Sequence, residues 1–340
     1  MRTQHARPCS RRSFLGRMTL AGTAGLLGLS TRRVAAEPPP ETTRLRLVRR
    51  SPLCVAPEYV AEDLLQGEGF TEVRYVRKET LSGVAKALTV GEVDLTLLFS
   101  PPFLLHLEAG DPLVLLAGVH VGCFELFGSA QVRSIRDLQG KTVAVTGLGG
   151  PEHVFVASMA AYVGLDPRTD IHWVSHPQAA AVPLLAAGQI DALLAFPPFA
   201  QELRAQQIAH VVVDSSKDRP WSQYFCCMVV AHREFVRKHP VATKRALRAI
   251  LKAADLCARE PERVAQLLVD KAYASRYDAA LQTLQEVPYS KWREYDPEDT
   301  VRFYALRLQE AGMLKSSPQK LIAQGTDWRF FNELKKELKG

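Results

Sequence analysis

Set aside its first 36 residues and the chain lacks any charge imbalance. The whole sequence has 43 Lys and Arg against 36 Asp and Glu, but residues 1–36 hold seven of the arginines and no carboxylate, so the remaining 304 residues are formally neutral. A neutral chain offers no electrostatic basis for binding nucleic acid or an anionic membrane. Beyond the leader there is also no apolar run near the ~20 residues that a bilayer-spanning helix requires. The Gly-x-Ser-x-Gly elbow and the His-Glu-x-x-His helix are both missing, and no lysine is marked out for a pyridoxal Schiff base. Together these absences argue against an enzyme, and neither a cofactor nor a metal is expected. Paired Cys-x-x-Cys zinc spacing is absent too: the five cysteines after residue 36 are Cys54, Cys123, Cys226, Cys227 and Cys257. An odd count leaves at least one free thiol, and adjacent Cys226 and Cys227 point to opposite faces of a strand, which disfavours a bond between them. They read as small buried hydrophobes.

What the leader does contain is "SRRSFLG" at 10–16, the weakly apolar "MTLAGTAGLLGLS", and the small-residue site "VAA" at 34–36. This is the pattern of a twin-arginine export signal cleaved near Ala36, which predicts a periplasmic protein. A Pro-rich lead-in follows at 37–43.

Two phrases then repeat: "GEVDLTLLFSPPFLLHL" at 91–107 and "GQIDALLAFPPFAQEL" at 188–203. Each reads as a glycine closing a helix, an aspartate (Asp94 or Asp191) beginning a buried strand, and a Pro-Pro turn opening the next helix. Around them strands and helices alternate, the signature of parallel sheets flanked by helices. The repetition predicts two similar lobes facing each other across a cleft, with crossing strands near 124–131 and 215–230. The expected division is 44–128 for the first part of lobe 1, 129–222 for lobe 2, and 223–340 for a return strand and a helical tail packed on lobe 1. In "VATKRALRAILKAADLCARE", Ala246, Leu247, Ile250, Leu251, Ala254 and Cys257 share one stripe. Further helical runs fall at 261–270, 276–286, 297–312 and 327–339.

Ligands of open α/β sheets bind at the C-terminal strand ends. In "TGLGGPEHVF", Gly149 and Gly150 permit close backbone approach, Pro151 opens a helix, and Glu152 and His153 lie in its first turn, where unpaired N–H groups suit an anion. One helix terminus contributes only about 0.3–2 kcal/mol, whereas micromolar binding needs about 8 kcal/mol, so several loops must converge. The others are Ser51 and Cys54 after the first strand, Ser100 and Pro101 after the third, Pro197 in the second Pro-Pro turn, and His120 at the end of the fourth strand. Trp221 and Tyr224 in "DRPWSQYF" complete the candidate contacts. Thiolate and imidazole would suit copper or zinc around His120 and Cys123, but no ligand spacing compels such a site.

The ordered segments "RDLQGKTVAV", "YVGLDPRTDIHWV", "LLAAGQIDALLA" and "REFVRKHPVATKRALRAILKA" resemble the periplasmic solute-binding proteins of nitrate, taurine and sulfonate ABC importers, from about residue 44 to 260. The resemblance implies a two-lobed type II periplasmic binding fold. It further implies a monomer that captures a small sulfonate-, nitrate- or carboxylate-like anion and delivers it to a membrane permease with its ATPase. In "AFPPFAQ", Phe199 stands where many relatives carry an acidic or tyrosine residue, so an anion with an apolar or aromatic body fits better than an amine such as taurine's. The same domain type includes binding proteins for thiamine-pyrimidine precursors and the yeast-type thiamine-pyrimidine synthases. The "FCCM" run with His120 invites that alternative. A sensor lobe that presents its ligand to a receptor is a third.

Overall fold

A computed structural model describes residues 37–50, 52–78 and 80–339. The expected export signal and Ser51 lie outside the described residues. One compact unit begins at Pro39, and it contains both lobes.

Lobe 1 runs through β1 (Arg44–Arg49), α1 (Ala56–Gly67), β2 (Glu72–Arg77), α2 (Leu81–Thr89), β3 (Leu95–Phe99), α3 (Ser100–Glu108) and β4 (Leu113–Val121). β3 and β4 are buried along their whole length, as expected of near-continuous apolar strands covered on both faces. The chain then crosses to lobe 2 through β5 (Glu125–Gly128), β6 (Lys141–Val145), α4 (Pro151–Tyr162), β7 (Ile171–Ser175), α5 (Gln178–Ala186), β8 (Ala192–Ala195), α6 (Phe199–Gln206) and β9 (His210–Asp214). It returns through β10 (Phe225–His232), α7 (Arg233–Lys238) and α8 (Pro240–Arg259). The tail is α9 (Pro261–Asp270), α10 (Tyr277–Glu286), α11 (Pro297–Glu310), α12 (Pro318–Gly325) and α13 (Arg329–Glu337).

The lobe 2 sheet has the order β7-β6-β8-β5-β9. β6, β7 and β8 are parallel, and β5 runs antiparallel to β8 and β9. β5 therefore belongs to lobe 2, and the first crossing falls at 122–124, ahead of the boundary expected at 128. In lobe 1 the antiparallel strand is β10, inserted between β3 and β4. Each lobe thus takes one strand that has just crossed from the other.

The repeated phrase has a repeated physical role. In lobe 1 the Asp94 N–H donates to Arg46 O (2.9 Å), and its carboxylate accepts from Arg46 N (2.7 Å). In lobe 2 the Asp191 N–H donates to Thr142 O (2.8 Å), and its carboxylate accepts from Thr142 N (2.8 Å). The carbonyl of each aspartate accepts from the antiparallel crossing strand, from His232 N at Asp94 and from Ser129 N at Asp191. One short carboxylate thus completes the ladder where the strand begins, and it locks the register of the strand that follows. Asp94 adds an ion pair to the Arg46 guanidinium.

The lobe 1 sheet is less regular than the sequence suggests: β1 and β2 form one ladder, and β3, β10 and β4 form another. The gap between β1 and β3 is filled by buried Glu58 of α1. Its carboxylate accepts from Val48 N (2.9 Å), Leu97 N (3.0 Å) and the Thr96 hydroxyl (2.8 Å). Backbone donors that would otherwise be orphaned are satisfied by a side chain.

Every residue of the predicted α8 stripe is buried, and α8 packs on α1. α11 packs on α3 and also on α4, so the tail touches both lobes. α12 was not anticipated from sequence; Ser317 caps it by accepting from Lys320 N, with Pro318 in its first turn.

Replacing Asp191 with alanine is expected to cost about 1–3 kcal/mol, the range for a lost charge-assisted bond that leaves a partner unsatisfied. Asp94→Ala should cost more, because the Arg46 pair goes with it. Urea unfolding checks both, as a lower midpoint at unchanged m.

Candidate functional site

The strand ends of the two lobes meet at an aromatic cluster. Phe99 closes β3 and Phe196 follows β8; they occupy matching places in the two repeated phrases, and both rings contact Phe124 of the crossing, at 4.5 and 5.8 Å. Phe155 of α4 packs against Phe99 and Phe124 at 5.2 and 5.4 Å. The crossing itself is tied by Ser215. Its hydroxyl donates to Phe124 O (2.8 Å) and accepts from Phe124 N (2.8 Å) and Cys123 N (3.1 Å). Gly122, with φ +43°, lets the two crossing segments touch, since a Cβ there would overlap the Ser215 carbonyl.

On the lobe 2 side, Gly149 has φ +76° and Gly150 precedes α4. The Gly149 N–H donates to His153 Nδ1 (3.0 Å), and the ring of His153 stands edge-on to Trp173. Burial pushes the His153 imidazole below its ordinary value. Glu152 is buried and accepts from the Thr146 hydroxyl (2.7 Å); burial raises its carboxyl. Beside these two side chains, His176 and Gln178 help line a cavity of about 10 Å³, room for about one water. The structure brings Gly149, Gly150, Glu152 and His153 together at one helix start, with Pro197 buried in the turn after β8.

The remaining candidates behave differently. The Ser100 hydroxyl is spent on β10, donating toward Phe225 O (2.9 Å) and Cys226 O (3.1 Å), and Pro101 is buried beside it. Trp221 is buried among Phe155, Tyr162 and Phe303. Tyr224 stacks on Phe303 at 3.9 Å. Trp221 thus sits between α4 and α11, and Tyr224 packs on α11.

Cys54 and His120 fall into a cluster that sequence spacing conceals. One ligand atom each of Cys54, His120 and Cys123 lies within 4.8 Å of the others, all three residues being buried. Cys226 Sγ is 2.9 Å from Cys123 Sγ, and Cys227 follows it in β10. All five cysteines are free and buried. Hydrogen bonds from the Cys123, Cys226 and Cys54 thiols hold Cys227 well below the ordinary thiol range. Tyr289 covers the cluster, its ring edge-on to His120 at 5.3 Å and its hydroxyl donating to Cys54 O (3.0 Å).

The aromatic cluster and the Tyr289 cover were missed from sequence. The first had a usable signal, a phenylalanine at the same distance beyond Asp94 and Asp191 (Phe99 and Phe196), and the second had none.

The description "NMT1-like family" matches residues 38–269, more than half the chain. The chain belongs to the NMT1-like family. No curated protein matches it. Among solved structures, the periplasmic nitrate-binding protein NrtA from Synechocystis PCC 6803 superposes with a TM-score of 0.73 at 16% identity, over 89% of this chain and 90% of that one. The alkanesulfonate-binding protein SsuA from Xanthomonas axonopodis pv. citri, bound to MOPS, gives 0.65 at 19% identity, over 81% and 96%. The ligand-binding component of an ABC-type import system from Staphylococcus aureus, with zinc bound, gives 0.70 at 10% identity, over 86% and 99%. At these identities the shared property is the fold: a two-lobed type II periplasmic binding fold with a helical tail, as the sequence resemblance implied. No helix among the described residues is long and apolar enough to cross a membrane.

Burial pushes the Glu58 carboxyl from an ordinary 4.5 up to about 7, against the N–H groups of Leu97 and Val48, the charge of Arg50 and the Thr96 hydroxyl. Between those two pH values the folded state holds a proton that the unfolded chain has released. Stability contributed at Glu58 therefore falls as pH rises through the window, and levels off above it. Glu58→Gln should flatten this slope in urea midpoints measured from pH 4.5 to 8. It should also cost about 1–3 kcal/mol at pH 5, because its amide sets a donor against the Val48 or Leu97 N–H.

Proposed function

We propose that this NMT1-like protein is the solute-binding component of an ABC importer, exported by the twin-arginine route, which holds one small anion between its lobes and hands it to a permease as a monomer. The single observation that carries this reading is the matched pair of strand ends, each set by an aspartate clasp, that oppose Phe99 to Phe196 across Phe124. The nitrate and sulfonate binding of the structural relatives supports an anion. The start of α4 supports it physically, because a helix N-terminus presents N–H groups and positive dipole to the cleft. The aromatic wall favours an anion with an apolar or aromatic body. No chemical step is part of this function.

Hinge closure needs contacts made only when the lobes are shut. Arg204 of α6 in lobe 2 reaches Glu286 of α10 (2.6 Å), held within its own lobe by Glu125 at the start of β5 (2.7 Å), and Gln201 adds a bond to Glu286 (3.0 Å). This latch ties lobe 2 to the tail.

A thermal-shift screen of the purified protein against nitrate, alkane- and arylsulfonates, aromatic carboxylates and pyrimidines tests the reading. The true ligand, at about a hundred times its dissociation constant, adds about 2.7 kcal/mol to stability. No shift with any anion, or turnover of a panel member, would sink it. With the ligand in hand, Glu286→Ala is expected to weaken binding about fivefold, corresponding to about 1 kcal/mol for a partly exposed pair, as read by calorimetry.

A further inference from the structure

We infer that Cys54, His120 and Cys123 form a resident site for one thiophilic d10 cation, zinc(II) or copper(I), with Cys226 or Cys227 at hand as a further thiolate. The site goes beyond solute capture and does not depend on it.

Three segments far apart in sequence, at 54, 120–123 and 226, deliver three thiols and one imidazole to one buried region. The ligand atoms of Cys54, His120 and Cys123 all lie within 4.8 Å of one another. Around a bound ion, with metal–sulfur near 2.3 Å and metal–nitrogen near 2.0 Å, such atoms stand about 3.5–4 Å apart. Closing the shell therefore asks for side-chain adjustments of about an ångström.

The histidine carries the second observation. His120 is fully buried, and its Nε2 has no hydrogen-bond partner among the described residues. Nδ1 lies 3.3 Å from Val121 O, so the proton belongs on Nδ1 and the Nε2 lone pair is left for a ligand role. A backbone carbonyl fixing the far nitrogen is the usual arrangement around a metal-bound imidazole. An orphaned nitrogen in this position otherwise costs about 1–3 kcal/mol.

Ordinary packing does not account for the cluster. Cys257 shows what a packing cysteine looks like here, being buried in the apolar stripe of α8 with its thiol raised by burial. Cys123 and Cys226, by contrast, sit thiol to thiol, with Cys54 grouped beside Cys123 and His120. Sulfur-rich ligation with one imidazole selects d10 soft or borderline cations over magnesium, calcium or manganese. The ion would join the loop after β1 to the end of β4 and the crossing segment.

The experiment uses the full chain, purified anaerobically and reduced, with zinc(II) in one arm and copper(I) in the other, each competed against a chromophoric chelator. Bound metal is counted by elemental analysis, and neither arm contains a solute, so failure here leaves solute capture untouched. The expected result is one equivalent per chain in at least one arm. Cys54→Ser, Cys123→Ser and His120→Gln should each loosen it by about a hundredfold or more, beyond the 10–100-fold typical of supporting partners, while Cys257→Ser leaves it unchanged. Should the ligand variants misfold, cobalt(II) in the unmodified chain gives a separate readout, an intense thiolate-to-cobalt charge-transfer band. Failure to bind in both arms, equal binding by the serine variants, or a cobalt spectrum without thiolate character would overturn the site. So would a Cys123–Cys226 disulfide, mapped by mass spectrometry, that persists in the reduced, metal-loaded protein.

Discussion

Two aspartate carboxylates hold this architecture in register. In each lobe a side chain one methylene long takes the backbone N–H of the first strand just where the next strand begins, and the residue's own N–H and C=O complete the ladder on either side. A one-residue slip would move every following side chain to the opposite face of the sheet. With the aspartate clasped, the two strands end close to their matching phenylalanines, and Phe99 and Phe196 both arrive against Phe124. The apposition of the lobes is thus a consequence of register as much as of hinge geometry.

The hinge adds a second constraint. Each lobe borrows its antiparallel strand from the chain as it crosses, β5 in lobe 2 and β10 in lobe 1, so neither sheet is complete alone. Ser215 and Gly122 bring the crossings within hydrogen-bond reach. The same crossings carry His120, Cys123, Cys226 and Cys227, so the thiol cluster is built into the part of the molecule that links the lobes. Its electrostatics differ sharply from those of the α4 loop, where a carboxyl and an imidazole are both driven toward neutrality by burial. A neutral loop that still offers helix N–H groups suits a small anion, whereas a thiol-rich point with an unpartnered nitrogen suits a soft cation.

Much of the fold was legible because its signals are local. Apolar runs such as "LTLLF" and "LVLLAGVHV", the glycines ending α2 and α5, and the stripe on α8 each depend on neighbours within a turn or two of chain. Less of the site was legible. Ser100, chosen as a strand-end polar group, gives its hydroxyl to β10 carbonyls 125 and 126 residues away. Trp221, chosen as an amphipathic ring near the hinge, is enclosed by α4 and α11. In both cases the deciding partner comes from a distant segment, and side-chain type alone does not reveal which partner a polar or aromatic group will meet.

The sequence by itself determined the order of strands and helices apart from α12, the twofold repetition and the family, since these follow from periodicity, turn chemistry and motif order along the chain. It also determined that residues 37–340 carry no net charge. Only the tertiary structure decided that Glu58 bridges β1 to β3, that Arg204 reaches Glu286, and that Cys54, His120, Cys123 and Cys226 gather in one buried region. Those outcomes depend on distances between residues dozens to hundreds of positions apart, and such distances exist only once the crossing strands have closed both sheets.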